Sequence, residues 1–231
     1  MKRRTIRLVF HVGRGKTGTT FLQSNVEKIP EVYFFGKFTK RENNKSVKSF
    51  IGNLNQVHYR LFRSFRSEVI SGFANPSRNS TKLLNYYVNN LYELIQSEKK
   101  KKVFILSDEC ISDYSNYLGE WNTFLVTAIG NLLSEKLESE FVVEKILSLT
   151  IRTQPELLLS VYGYGPMIKS RETFNKWLER ELANPEDGLC GGLFYYNCYS
   201  LYRSVFDKSW EVILVPFEIM GVDGDAGLYM R

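Results

Sequence analysis

The densest chemistry in this sequence lies in one short run, Gly13-Arg14-Gly15-Lys16-Thr17-Gly18-Thr19-Thr20. The apolar run Ile6 to Val12 precedes it, and Thr20 to Glu27, which reads as a helix ended near Pro30, follows it. A strand, a glycine-rich turn and a helix in that order build an anion cradle. The glycines let the backbone curl so that several N–H groups point inward, and the helix start adds positive potential. Lys16 adds a full charge, and Thr17, Thr19 and Thr20 add hydroxyl donors. An ordinary tight turn needs neither the lysine nor the threonines. The triphosphate-binding loop requires a glycine, four residues, then Gly-Lys-Ser/Thr. Gly15-Lys16-Thr17 supplies its end, but the first glycine would fall at position 10, which is Phe10. Only the tail of that motif is present, and the loop is short for a triphosphate.

The wider stretch His11-Val12-Gly13-Arg14-Gly15-Lys16-Thr17-Gly18-Thr19-Thr20-Phe21-Leu22-Gln23 resembles the 5′-phosphosulfate loop of the sulfotransferases, in the form seen in bacterial carbohydrate sulfotransferases. Gly15 departs from the pattern, where proline or histidine is usual. The family's 3′-phosphate site is an arginine at a strand end and a serine eight residues later on the next helix. Arg152-Thr153-Gln154-Pro155-Glu156-Leu157-Leu158-Leu159-Ser160 is similar to it. A serine two turns into a helix can face the same phosphate as an arginine leaving the strand. The arginine then gives a charged fork and the serine a hydroxyl. Leu106-Ser107-Asp108-Glu109 resembles the place where relatives acting on carbohydrates carry a general base.

The resemblance implies a P-loop nucleotide-hydrolase-like three-layer sandwich. It implies 3′-phosphoadenosine 5′-phosphosulfate (PAPS) as donor, 3′-phosphoadenosine 5′-phosphate (PAP) as product, and no metal. Arg14, Gly15, Lys16, Thr17, Gly18, Thr19 and Thr20 would hold the 5′ side, and Arg152 and Ser160 the 3′-phosphate. Lys16 would also be catalytic. Glu109 is the first choice for the base, with Asp108 and His11 behind it; His11 and His58 otherwise read as structural. The acceptor would be a hydroxyl or amine on a small molecule, glycan or lipid. Tyr195 to Glu218 also resembles the family's late helix and strand. Relatives run on with a further helix and a basic segment, so a short C-terminal end is expected. Two alternatives stand beside this reading: a small P-loop kinase or nucleoside triphosphatase, and a non-catalytic nucleotide-binding relative.

These residues need a scaffold that brings strand ends together. Short apolar runs predict strands at Ile6 to Val12, Val32 to Phe35, Val103 to Leu106, Lys145 to Ile151 and Val212 to Pro216. Helical spacing marks Leu83 to Ile95, Trp121 to Leu137, Pro155 to Tyr162, Phe174 to Leu182 and Leu193 to Phe206. The lysines at 99 to 102 suit the negative end of the first of these. Residues 39 to 80 read as helix and loop, and Asn184 to Gly192 as loop. Alternating strands and helices predict an α/β fold with a central parallel β-sheet flanked by helices, in a single domain over residues 1–231.

The 231 residues carry a net charge of +6, which suits an anionic ligand. The clusters Lys2, Arg3, Arg4, Arg7 and Lys99 to Lys102 read as solvated surface. No nucleic-acid motif interleaves them with aromatics, so no nucleic-acid partner is expected. Cys110, Cys190 and Cys198 match no zinc spacing and point to a reducing compartment. There is no apolar stretch of membrane-helix length and no signal-peptide core, so a cytoplasmic protein is expected. Tyr162, Tyr164, Tyr195 and Tyr196 read first as core and second as stacking surfaces for sugar rings.

Overall fold

The computed structural model describes residues 3–13, 25–26, 29–35, 39–42, 45–48, 61, 77–107, 120–163, 172–183 and 195–216. Its strands are β1 (Arg4–Gly13), β2 (Val32–Phe34), β3 (Thr39–Glu42), β4 (Lys45–Lys48), β5 (Val103–Ser107), β6 (Phe141–Ile151) and β7 (Trp210–Pro216). Its helices are α1 (Arg78–Ser97), α2 (Glu120–Glu138), α3 (Gln154–Tyr162), α4 (Phe174–Ala183) and α5 (Tyr195–Val205). Five strands form one sheet in the order β2-β5-β1-β6-β7, and all its pairings are parallel. The α/β architecture follows, as the alternation of strands and helices predicts.

Alternation along β1 divides the core into two faces. Ile6, Leu8, Phe10 and Val12 meet α1, α2 and α5 in the larger cluster. Val9 turns the other way, toward Val26, Val32, Val103, Ile105 and Val215. The two faces match the path of the chain. The crossover from β1 to β2 moves toward one edge, and every later crossover moves the opposite way. Right-handed crossovers that reverse direction must change faces, so Val26 covers one face and α1, α2 and α5 the other.

On the larger face, α2 comes close to the sheet at Gly130, where an added Cβ would meet the rings of Phe10 at 2.8 Å and Trp210 at 2.9 Å. Those two rings stack at 5.2 Å. A smaller aromatic group joins α3 to α4. There Tyr162 contacts Phe174 and the fully buried Trp177, and its hydroxyl donates to the Glu172 carbonyl at 2.5 Å. Tyr162 is thus held as a packing residue.

Several expectations change. Residues 39–42 and 45–48 are not helix but an antiparallel hairpin pairing Thr39 with Lys48, and α1 begins at Arg78, earlier than Leu83. Ser77 caps α1, its hydroxyl accepting from the Ser80 N–H at 3.2 Å. Strand β6 begins at Phe141 rather than Lys145, because β1 already supplies a partner from Arg4 onward. The lysine run follows the end of α1, whose last turn itself holds no basic residue, and Arg4 reaches the same end from the sheet. Its guanidinium donates to the carbonyls of Lys99 at 2.7 Å and Glu98 at 3.1 Å, and lies 4.8 Å from the Phe141 ring centre. A guanidinium held by carbonyls and a ring is packed rather than freely solvated. Arg7 likewise pairs with Glu144 at 2.8 Å. Among the described residues, no helix is long and apolar enough to cross a membrane.

Candidate functional site

The sheet order defines where a ligand belongs. The connection leaving β1 runs toward β2, and the connection leaving β6 runs toward β7, so these neighbouring strands part company at their carboxyl ends. Ligands of open α/β sheets bind in the crevice at such a reversal. Both halves of the predicted site leave the chain there. Strand β1 ends at Gly13, immediately before residues 14–20, and Gly13 is in register with Thr150 on β6. Two residues beyond Thr150 comes Arg152, which β6 releases after Ile151.

Arg152 lies two residues before α3 begins, and Ser160 sits in the last turn of that helix. Six residues separate Ser160 from the helix start at Gln154, which at helical rise is about 9 Å. Leu157 anchors α3: its N–H donates to the Thr153 carbonyl at 3.0 Å, and its side chain is fully buried. The half-buried guanidinium of Arg152 lies 3.4 Å from the exposed carboxylate of Glu156, one turn along. A carboxylate there occupies the arginine as a phosphate oxygen would.

Below the crevice lies a buried polar bar. His11 is 1% exposed. Its Nδ1 shares a hydrogen bond with Ser107 Oγ at 2.7 Å, and its Nε2 shares one with Thr150 Oγ1 at 2.5 Å. Ser107 and Thr150 are also buried. Burial lowers the imidazole pKa to about 4, so the ring is neutral near pH 7. A neutral imidazole donates at one nitrogen and accepts at the other, which suits two flanking hydroxyls. Parity explains the grouping: Ser107, His11 and Thr150 all share the face of Val9, Ile105 and Ile146.

The structure therefore brings β1's end and Arg152 to one crevice and sets Ser160 on the adjoining helix. Arg14, Gly15, Lys16, Thr17, Gly18, Thr19 and Thr20 lie outside the described residues, as do Asp108, Glu109 and His58. So do Cys110, Cys190 and Tyr164. Sequence reasoning left His11 as a residue that packs or hydrogen-bonds near the loop, but missed its two partners. The available signal was Ser107 and Thr150, each polar at a position that continues a buried apolar alternation.

No protein-family model matches the sequence, and no curated protein does. Among solved structures, a tunicamycin resistance protein from Deinococcus radiodurans aligns at 13% identity and TM-score 0.34, covering 75% of this chain and 80% of that one. Thymidylate kinase from Candida albicans aligns at 12% identity and TM-score 0.36, covering 97% and 94%. At those values neither protein's activity transfers to this chain.

Proposed function

We propose that the crevice between β1 and β6 binds a nucleotide carrying two separate phosphates, and that the protein transfers a sulfuryl group from PAPS to an acceptor hydroxyl or amine. The observation that carries this reading is the register of Gly13 with Thr150. It supports a site in which the loop at residues 14–20 and Arg152 approach one ligand from neighbouring strands. A second observation favours a bisphosphate over a triphosphate. Phe10 is 1% exposed and stacked on Trp210, and β1 continues for three residues past it to Gly13. Two residues then remain before Lys16, too few for the long triphosphate cradle.

In this reading the acceptor oxygen or nitrogen attacks sulfur in line. The bond from sulfur to the bridging phosphate oxygen breaks, and PAP leaves with that electron pair. Such transfers ask the protein for positioning and for neutralisation of developing charge. Lys16 is assigned to the bridging oxygen, and the backbone of residues 17–20 to the 5′-phosphate. Arg152 and Ser160 are assigned to the 3′-phosphate, and Glu109 to the acceptor proton. The acceptor class remains the broad one of small molecule, glycan or lipid.

The test is calorimetric binding of adenosine 3′,5′-bisphosphate, 5′-AMP and ATP without and with magnesium. The bisphosphate is expected to bind best and without magnesium. Arg152→Ala is expected to weaken it about tenfold or more, in the range for a lost charge-assisted contact, and to leave 5′-AMP unchanged. Preference for magnesium-ATP would replace this reading with that of a kinase or nucleoside triphosphatase. Binding of the bisphosphate with no label transferred from PAPS to sugars, lipids, phenols or peptides would leave a non-catalytic relative.

A further inference from the structure

Among the described residues, His11 is buried on β1 and its polar side chain touches the strand on each side, close to the carboxyl ends of all three strands. Ser107 is the last residue of β5, directly before Asp108 and Glu109. Thr150 lies two residues before Arg152 on β6. His11 itself lies two residues before Gly13, where residues 14–20 begin. An apolar residue at position 11 would fill the volume, and the same face holds apolar Val9 one pair back. Burying an imidazole and two hydroxyls instead has a desolvation cost that only mutual hydrogen bonding offsets. What the polar bar adds is direction: each bond fixes the offset of one neighbouring strand relative to β1, which dispersion contacts do not.

We propose that His11 is a positioning residue, cross-linking the carboxyl ends of β5, β1 and β6 through Ser107 and Thr150 so that the strand ends at Ser107, Gly13 and Ile151 stand at fixed spacing. Its role as a clamp on three strand ends stands on the hydrogen bonds alone; its consequence for nucleotide binding rests on the function proposed above. Either neutral tautomer satisfies both contacts, since each hydroxyl can donate or accept. Replacement by the two amide homologues restores the bar by halves, since an asparagine amide reaches toward the Nδ1 side and a glutamine amide toward the Nε2 side.

The experiment uses the full chain and three variants, His11→Leu, His11→Asn and His11→Gln, first checked for native circular dichroism. Amide hydrogen exchange is then compared at residues 105–107, 11–13 and 148–151 and at the opposite end of β1, residues 4–8. His11→Leu is expected to speed exchange tenfold or more at the carboxyl ends and less than threefold at the amino end. Asn is expected to restore protection at 105–107, and Gln at 148–151. Uniform acceleration along the strands, or no rescue by either amide, overturns the clamp and leaves a core residue. Adenosine 3′,5′-bisphosphate affinity is measured in parallel. If the wild type binds it, His11→Leu is expected to lose at least tenfold, and equal affinity overturns the proposal. If the wild type does not bind it, the nucleotide reading falls, and exchange alone decides the clamp.

Discussion

Burial holds the His11 imidazole at a pKa of about 4, below its ordinary 6.5. The unfolded chain then takes up a proton below pH 6.5 that the native chain refuses until about pH 4. Stability from this residue is complete above pH 6.5 and falls as the pH drops toward 4. Between pH 7 and 4.5 the loss is about 2–3 kcal/mol. Urea denaturation at both pH values is expected to show that loss in the wild type and a smaller one in His11→Gln. Glu156 supports a second prediction. Its carboxylate is 55% exposed and 3.4 Å from Arg152, so the pair itself is worth only a few tenths of a kcal/mol to about 1 kcal/mol. A phosphate must still displace it. Glu156→Gln is expected to tighten adenosine 3′,5′-bisphosphate binding about two- to fivefold, with 5′-AMP unchanged, as read by calorimetry. The positions of Arg152 and Ser160 were legible from their spacing and from the proline-marked helix between them. The His11 bar was not legible, because it depends on which side chains the sheet register brings within 3.5 Å.

At the scale of elements, the strands announced themselves because apolar runs such as Leu8-Val9-Phe10 and Phe104-Ile105-Leu106 are buried on both sides of the sheet. Helix α1 was readable from Leu84, Val88, Leu91 and Ile95, all of which are buried. Its first turn was not, since Arg78 to Lys82 carry no apolar stripe and only the Ser77 cap marks the start. The hairpin at 39–48 escaped for a related reason: Thr-Lys-Arg-Glu and Lys-Ser-Val-Lys lack the alternation that identifies a half-buried strand. The packing of α2 on the sheet yields a prediction of its own. Gly130→Ala directs a methyl group into the rings of Phe10, Trp210 and Phe206, the last 3.1 Å from the new Cβ. Overpacking of this kind costs about 1–3 kcal/mol, partly offset by alanine's better helix propensity of about 1 kcal/mol. The urea midpoint is expected to fall, with bisphosphate affinity retained in the folded fraction.

For the whole molecule, the order β2-β5-β1-β6-β7 sets the first strand in the middle. Arg4 reinforces that arrangement by joining the start of β1 to the end of α1 and to Phe141 on β6. Arg4→Met is expected to lower the thermal midpoint by several degrees, about 1 kcal/mol or more at typical domain entropies, with the amino ends of the strands exchanging fastest. The central position of β1 also bears on how the chain is made. Its two neighbours are encoded far downstream: Arg7 pairs with Val103 on one side and with Glu144 on the other. A ribosome adding roughly 5–20 residues per second leaves the apolar segment Leu8-Val9-Phe10 without its β6 partner for many seconds. Nascent chains arrested before residue 141 would carry that strand with one edge still open, a state that invites pairing with another chain.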